Sequence, residues 1–439
     1  MGFLRNAVLF VLAISFVVFV AFFGRLPALR HTPIATLHRI MRIHIPNGFL
    51  AIDRLLMGGR FSSSMLRFGN FMMNDRHPTV VIFFLVLLSV SEYLFLPTAW
   101  PQISTFHKVA GSIAIFLPYL FLYLSVMTDP GYITHENHAY YMSLYPYDWS
   151  IFFPGHECKT CGFLKPPRSK HCSICKRCIA KLDHHCIFIN GCVGYKNHHY
   201  FLLLLATTAL LTSYGGFLGF SLLSKHIATE YPTWALWPPK GMEIKDYLLI
   251  WNWALQDSVG MGAVTLLAAM ISPLVWGLFA YNVWLIYSGT TTNESLKWSD
   301  WKAEMDDGCA FKRKLLPNRV KDRRYEPERT RWPLESQQVL ARTDDGMPPP
   351  SNVSTQSEWE RVWKLADVEN LYDLGFWDNV ADVFVPDYNF NVKRDQPTVE
   401  ALALQQALLP KILDCSSAVD LETSFEFVMA ADLPAPSLA

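Results

Sequence analysis

Residues 158–192, CKTCGFLKPPRSKHCSICKRCIAKLDHHCIFINGC, constrain this chain more than any other stretch. They hold seven of its nine cysteines between apolar runs long enough to cross a bilayer. The spacing is C-x2-C-x9-H-C-x2-C-x2-C-x4-D-H-H-C-x5-C. Structural zinc takes four Cys or His ligands, often from C-x2-C pairs. With Cys186 set aside, Cys158, Cys161, Cys172, Cys175, Cys178 and Cys192 join His171 and His185 to give eight ligands, enough for two sites. The spacing leaves open which four share an ion. Cys186 is then surplus, and it follows directly on Asp183, His184 and His185. Cysteines clustered at ligand spacing suit metal in a reducing compartment better than a disulfide framework. That puts the block in the cytosol.

Five segments approach the roughly 20 apolar residues a membrane helix needs: 7–23, 79–96, 109–127, 200–223 and 260–287. The first is flanked by Arg5 and Arg25 and lacks a clean small-residue cleavage site, so it reads as a signal anchor and not a cleaved signal peptide. Basic residues mark the cytosolic side of a membrane protein. The segment 25–77 has eight arginines against Asp53 and Asp75, the 97–106 turn is uncharged, and 224–259 is Trp-rich and mixed in sign. The expected architecture is an all-α integral membrane protein of about five transmembrane helices. Its parts are a signal-anchor span over 1–24, a basic cytosolic loop over 25–77, a transmembrane hairpin over 78–127 and the cytosolic cysteine-rich domain over 128–199. A second transmembrane hairpin over 200–287 and a partly disordered cytosolic tail over 288–439 complete it. Lys plus Arg equals Asp plus Glu at 38 each, so no bulk basicity points to nucleic acid.

In the tail, 311–331 is strongly basic and is expected either as a solvated linker or in contact with anionic headgroups. The segment 342–358 reads as a disordered linker, 359–386 as a stretch that packs back on the membrane domain, and 399–413 as a short helix. Cys309 and Cys415 read as ordinary thiols, Cys309 with the option of being acylated itself. The sequon at Asn352 is silent on a cytosolic tail. His135, His138, His198 and His199 are expected at the surface, and Glu92 near a helix end, with a functional ionisable group within the span as its alternative.

Two zinc sites alone would make an interaction module that scaffolds partners. The surplus Cys186 argues for chemistry instead, since scaffolding has no use for it. A thiolate is the reactive form of cysteine, and a neighbouring imidazole can accept its proton. A carboxylate bonded to that imidazole fixes its tautomer. His184 is then the base, Asp183 its orienting partner, and His185 a zinc ligand facing the other way. A nucleophilic thiol tethered at a bilayer surface suits a substrate with a lipid chain and an activated acyl group. A multi-pass transporter is disfavoured, because charged or repeated helix-breaking features are scarce across paired spans.

The block resembles the DHHC cysteine-rich domain of protein S-acyltransferases (palmitoyltransferases). Asp129-Pro130-Gly131 is similar to that family's DPG motif, Thr291-Thr292-Asn293-Glu294 to its TTxE motif, and Asn197 to its Asn after the last cysteine. Asn370, Tyr372, Gly375 and Asn379 resemble its C-terminal aromatic motif. The likeness spans roughly 75–385, and its wording is closest to the fungal branch acting on SNARE-type proteins. It implies attack of Cys186 on palmitoyl-CoA and transfer to cysteines beside the membrane anchors of protein substrates. It implies two structural zinc ions, one on Cys158, Cys161, His171 and Cys178, the other on Cys172, Cys175, His185 and Cys192. Lys165, Arg168, Lys170, Lys176 and Arg177 become candidates for the CoA phosphates, with a solvated surface as the alternative. The branch implies the endoplasmic reticulum membrane, with the catalytic domain in the cytosol.

Overall fold

The computed structural model describes residues 32–239, 241–316, 319–350 and 358–392, with Phe16, Val17 and Val20. Apart from those three, the expected span at 7–23 lies outside the described residues. So do the sequon at Asn352, Cys415 and the run at 399–413.

Among the described residues, four helices are long and apolar enough to cross a membrane. They are α4 (Thr79–Ala99, continued by one 3-10 turn to Gln102), α5 (Thr105–Met127), α7 (His198–Glu230) and α9 (Val259–Tyr287). At 1.5 Å per residue, 23 residues span about 35 Å, enough for the roughly 30 Å hydrocarbon core. Ser104 caps α5 by accepting from the His107 amide. α7 runs through the centre, against α5 on one side and α9 on the other. Without a hydrophobic drive between helices in lipid, small residues bring the backbones close. A Cβ at Gly219 of α7 would lie 2.0 Å from Thr265 Oγ1 of α9, so only glycine fits. Glu92, well inside α4, accepts a hydrogen bond from Tyr119 of α5 at 3.1 Å.

The segment expected as a basic loop is helical. It holds α1 (Pro33–Arg39), a π turn (Ile40–His44), α2 (Ile45–Met57) and α3 (Arg60–Asn74). Between the two membrane pairs, after α6 (His138–Met142), the Cys/His block forms three antiparallel hairpins: β1 (Glu157–Cys158) with β2 (Phe163–Leu164), β3 (Lys170–Cys172) with β4 (Arg177–Ile179), and β5 (His184–Cys186) with β6 (Gly191–Val193). On the far side of α7, α8 (Ile244–Asp257) leads into α9.

The tail contributes α10 (Thr292–Asp306), a sheet in the order β8-β7-β9 (β7 Ala310–Lys314, β8 Gln338–Arg342, β9 Glu360–Arg361) and α11 (Phe376–Phe384). It packs back on the block: Trp332, Leu371, Tyr372 and Phe390 share one core with Tyr145, Phe152, Cys158 and Cys178. The basic stretch 311–331 is largely neutralised within the tail itself. Arg319 pairs with Glu326, Lys321 with Glu335, Arg323 with Glu328 and Arg331 with Asp382.

Candidate active site

Strand geometry sorts the ligands. Successive side chains on a strand face opposite ways, so His171 and Cys172 of β3 are sent to different sites. Register completes the sets: His171 lies opposite Cys178, and His185 opposite Cys192. Two groups result, Cys158, Cys161, His171 and Cys178, and Cys172, Cys175, His185 and Cys192, each with its donor atoms within 4.8 Å of one another. Zinc at about 2.3 Å from sulfur and 2.0–2.1 Å from nitrogen implies tetrahedral S···N separations of about 3.5 Å. The thiols stand 3.4, 3.4 and 3.8 Å from His171 Nδ1 in the first group. In the second they stand 3.6, 3.4 and 3.5 Å from His185 Nδ1. Both groups fit a zinc ion.

The same alternation puts His184 and Cys186 on one face of β5, away from His185. Cys186 belongs to neither group. Its thiol is buried, 8% exposed, among Leu122, Ile189, Val193, Phe201, Leu204 and Leu205, with Val81, Phe84 and Leu85 of α4 beside them. It therefore faces the apolar ends of the membrane helices. His184 Nδ1 lies 2.6 Å from Asp183 Oδ2, and its ring packs edge-on to Phe201. Burial discourages charge on the imidazole, but hydrogen bonds to Asp183 and Cys186 outweigh it and push the pKa up to about 10. Burial likewise opposes charge on Asp183, yet the His184 bond, the nearby imidazoles and the Thr292 amide hold it down at about 2.

Asp183 is seated on the N-terminus of α10. The Thr292 amide and hydroxyl donate to its carboxylate at 2.6 and 2.9 Å, and the Asn293 amide donates to its carbonyl. Free amides and the positive end of the helix dipole favour an anion there. Thr291 and Glu294 form a capping box that starts this helix. Glu294 also takes Arg168 bidentately, from Nε at 2.7 Å and Nη2 at 2.6 Å. The Thr-Thr-x-Glu sequence thus sets both the helix and the carboxylate.

The other motif residues are braces. Asp129 accepts from the Gly131 and Tyr132 amides, and Gly131, at φ +102, has the Tyr195 Cβ only 3.3 Å from where its own Cβ would be. The Pro130 carbonyl leaves no room for a side chain at Gly194, whose Cβ would fall 2.5 Å away. Buried Asn197 donates to the Ser125 and Cys192 carbonyls and accepts from Gly194, tying α5, β6 and α7 together. Asn370 and Asn379 donate to the Ser288 and Tyr287 carbonyls at the end of α9. The Tyr372 ring lies under the Arg168 guanidinium, 4.4 Å away.

Two expectations are corrected. Arg168 is 2% exposed and is spent on Glu294, Asp382 and the Gly289 carbonyl, so its guanidinium cannot meet a CoA phosphate. Lys176 in the β3–β4 turn and Arg177 at the start of β4 are both exposed, Arg177 over Tyr132. Lys165 and Lys170 instead line a cavity of about 360 Å³ together with Lys297, which the sequence reading missed. His198 is not at the surface but 3% exposed. A buried cluster was also missed. Asp382 of α11 receives Lys181 at 2.6 Å, Tyr145 at 2.7 Å, Arg168 at 3.5 Å and Arg331. Burial pulls the Lys181 amine down to about 8 against the pull of Asp382. Arg168 and Lys181 both sit at positive φ, +61 and +44, conformations costing about 1–3 kcal/mol that persist where the surroundings enforce them.

The DHHC palmitoyltransferase family matches residues 151–299 of this chain. The chain is 52% identical over 403 residues to Palmitoyltransferase SWF1 of Neurospora crassa, covering 89% of this chain and 94% of that protein. It is 31% identical over 376 residues to Palmitoyltransferase swf1 of Schizosaccharomyces pombe, covering 85% and 94%. Its likeness to Palmitoyltransferase ZDHHC4 of Bos taurus, 36% over 154 residues, covers 33% of this chain and 43% of that one.

Proposed function

This chain belongs to the DHHC palmitoyltransferase family, and from that membership we propose that it is a protein S-palmitoyltransferase whose nucleophile is Cys186. The observation that carries the reading is the separation of Cys186 from both four-donor groups. It shares a strand face with His184, and its thiol opens on the apolar ends of four membrane helices. A palmitoyl chain has its place among those helices and its thioester at their rim.

The steps balance on two residues. His184 Nε2 takes the proton of Cys186, and Asp183 holds the imidazolium through Nδ1. Cys186 Sγ attacks the thioester carbonyl of palmitoyl-CoA, the bond to the CoA sulfur breaks, and CoA leaves with the proton from His184. A substrate cysteine then gives its proton to His184, attacks the acyl-Cys186 thioester and returns a free Cys186 thiol. Zinc in the two groups supplies structure, cross-linking strands too short to hold their register alone. Lys165, Lys170 and Lys297 are the cations for the CoA phosphates. The protein substrates are membrane proteins with cysteines beside their anchors, SNARE-type proteins in the first instance, a class that rests on the wording of the Cys/His block. The arginine excess of 25–77 supports a cytosolic Cys/His block, and the resemblance to the fungal branch favours the endoplasmic reticulum membrane.

Labelled palmitoyl-CoA incubated with purified, zinc-loaded protein should leave a hydroxylamine-sensitive label on the peptide that contains Cys186. A well-folded protein that takes no label would remove the reading.

Asp183→Asn tests the pair. The raised pKa of His184 and the lowered one of Asp183 mean that the ion pair's contribution to stability is complete between about pH 4 and 6.5. It fades as pH rises towards 10 or falls towards 2. Removing the carboxylate charge lowers the imidazole pKa. Acyl-enzyme formation should fall by about 10²–10⁴-fold, and its alkaline limb should move to lower pH. An unchanged pH profile would separate Asp183 from the proton transfer.

A further inference from the structure

We infer that the α2–α3 hairpin lies in the plane of the membrane interface, with its apolar face in the acyl chains and its arginines on anionic headgroups. Phe49, Ile52 and Leu56 on α2 recur at the i, i+3, i+7 spacing of one helix face, and Phe61, Met65 and Phe68 do so at i, i+4, i+7 on α3. The Phe49 and Phe61 rings meet edge-on at 5.7 Å, so the two stripes join on one side of the hairpin. All six side chains are between 44% and 75% exposed. A contiguous apolar face of this kind on a protein surface marks a place where something else docks.

The turn is built, not frayed. Gly58 and Gly59 both take positive φ, and the Ser62 amide and hydroxyl donate to buried Asp53 across it. Asp53 is also the only acidic residue between 33 and 74, against Arg39, Arg42, Arg54, Arg60 and Arg67. Its charge is turned inward, while Arg54, Arg60 and Arg67 are exposed. That combination of apolar stripe and unopposed cations is complementary to an anionic lipid surface. The hairpin's level fits the same occupant. Two residues past α3, Arg76 donates to the Asn190 carbonyl at 2.8 Å, just after the turn that follows Cys186. In that turn Ile187 and Phe188 are about half exposed, and Phe188 meets Phe84 in the first turns of α4. The hairpin therefore ends where α4 starts its apolar run, beside the Cys186 strand.

The test uses the full chain in vesicles of phosphatidylcholine with phosphatidylserine, with the photoreactive residue p-benzoylphenylalanine placed singly at Leu56, Phe68 or Asn70. Leu56 and Phe68 lie on the stripe and Asn70 opposite it. Irradiation should yield phospholipid adducts at Leu56 and Phe68 but not at Asn70, with phosphatidylserine enriched severalfold over its share of the vesicle. The double variant Arg60→Glu/Arg67→Glu should lose the enrichment and keep the adducts. Adducts to protein at Leu56 and Phe68 would overturn the lipid assignment in favour of a protein partner. So would lipid adducts equally frequent at Asn70. Lipid adducts without phosphatidylserine enrichment would overturn the headgroup half.

Discussion

Cys186→Ser is expected to abolish acyl-enzyme formation while both zinc ions stay bound. Loss of a nucleophile that acts in concert with its base costs orders of magnitude in turnover, because the remaining partners have nothing to activate. Serine keeps the shape of the thiol, but its hydroxyl is a far weaker acid and holds its proton against the imidazole. The fold should tolerate the change. Cys186 contributes no atom to either four-donor group, and the serine hydroxyl can keep the hydrogen bond to His184. Metal analysis should therefore return two zinc ions per chain for both proteins, beside a hydroxylamine-sensitive palmitoyl label on the wild type alone. A fall to one zinc would make Cys186 a ligand and undo the assignment of the surplus thiol.

His171→Ala should have the opposite signature, with zinc reduced from two ions to one and the domain destabilised. Structural zinc in small domains contributes about 10–16 kcal/mol of apparent binding free energy at neutral pH, much of it spent on folding. Here the hairpins it staples are strands of only two and three residues, too short to persist unaided. The damage should spread, since Cys158 and Cys178 are part of the core in which the tail's Trp332 and Tyr372 are buried. Limited proteolysis should open the 157–179 region and release the tail. Cys175→Ala should do the same at the second group, directly behind the His184–Cys186 face. Cys309→Ala, outside both groups, should leave zinc content and stability alone. A His171→Ala protein that keeps two ions would refute the ligand set.

The membrane helices were legible because hydrocarbon demands unbroken apolar runs, and four of the expected spans recur in the fold. The hairpin at 45–74 carries a helical stripe in its sequence, but the arginines spread through it give the same stretch the composition of a basic loop. Lys297 gave no signal at all in one dimension, as a single lysine one turn past a capping glutamate. Arg168 looked like the other basic residues of its run. What removed it from solvent was Glu294, 126 residues away. His198 reads as a surface residue because it is one of several surplus imidazoles near the membrane interface, and it is covered only once α7 packs.

By itself the sequence singled out eight candidate metal ligands, the surplus Cys186 beside His184 and Asp183, and the helices that bracket them, since metal spacing and hydrophobic length are local properties of the chain. Tertiary structure alone decided the rest. It sorted the eight donors into two groups of four, because strand register and alternation turn His171 from Cys172, and His185 from its two neighbours. It brought Thr292 under Asp183 across 109 residues and Lys181 to Asp382 across 201. Such pairings are stable only where burial removes water from both charges at once, and burial is a property of the assembled fold.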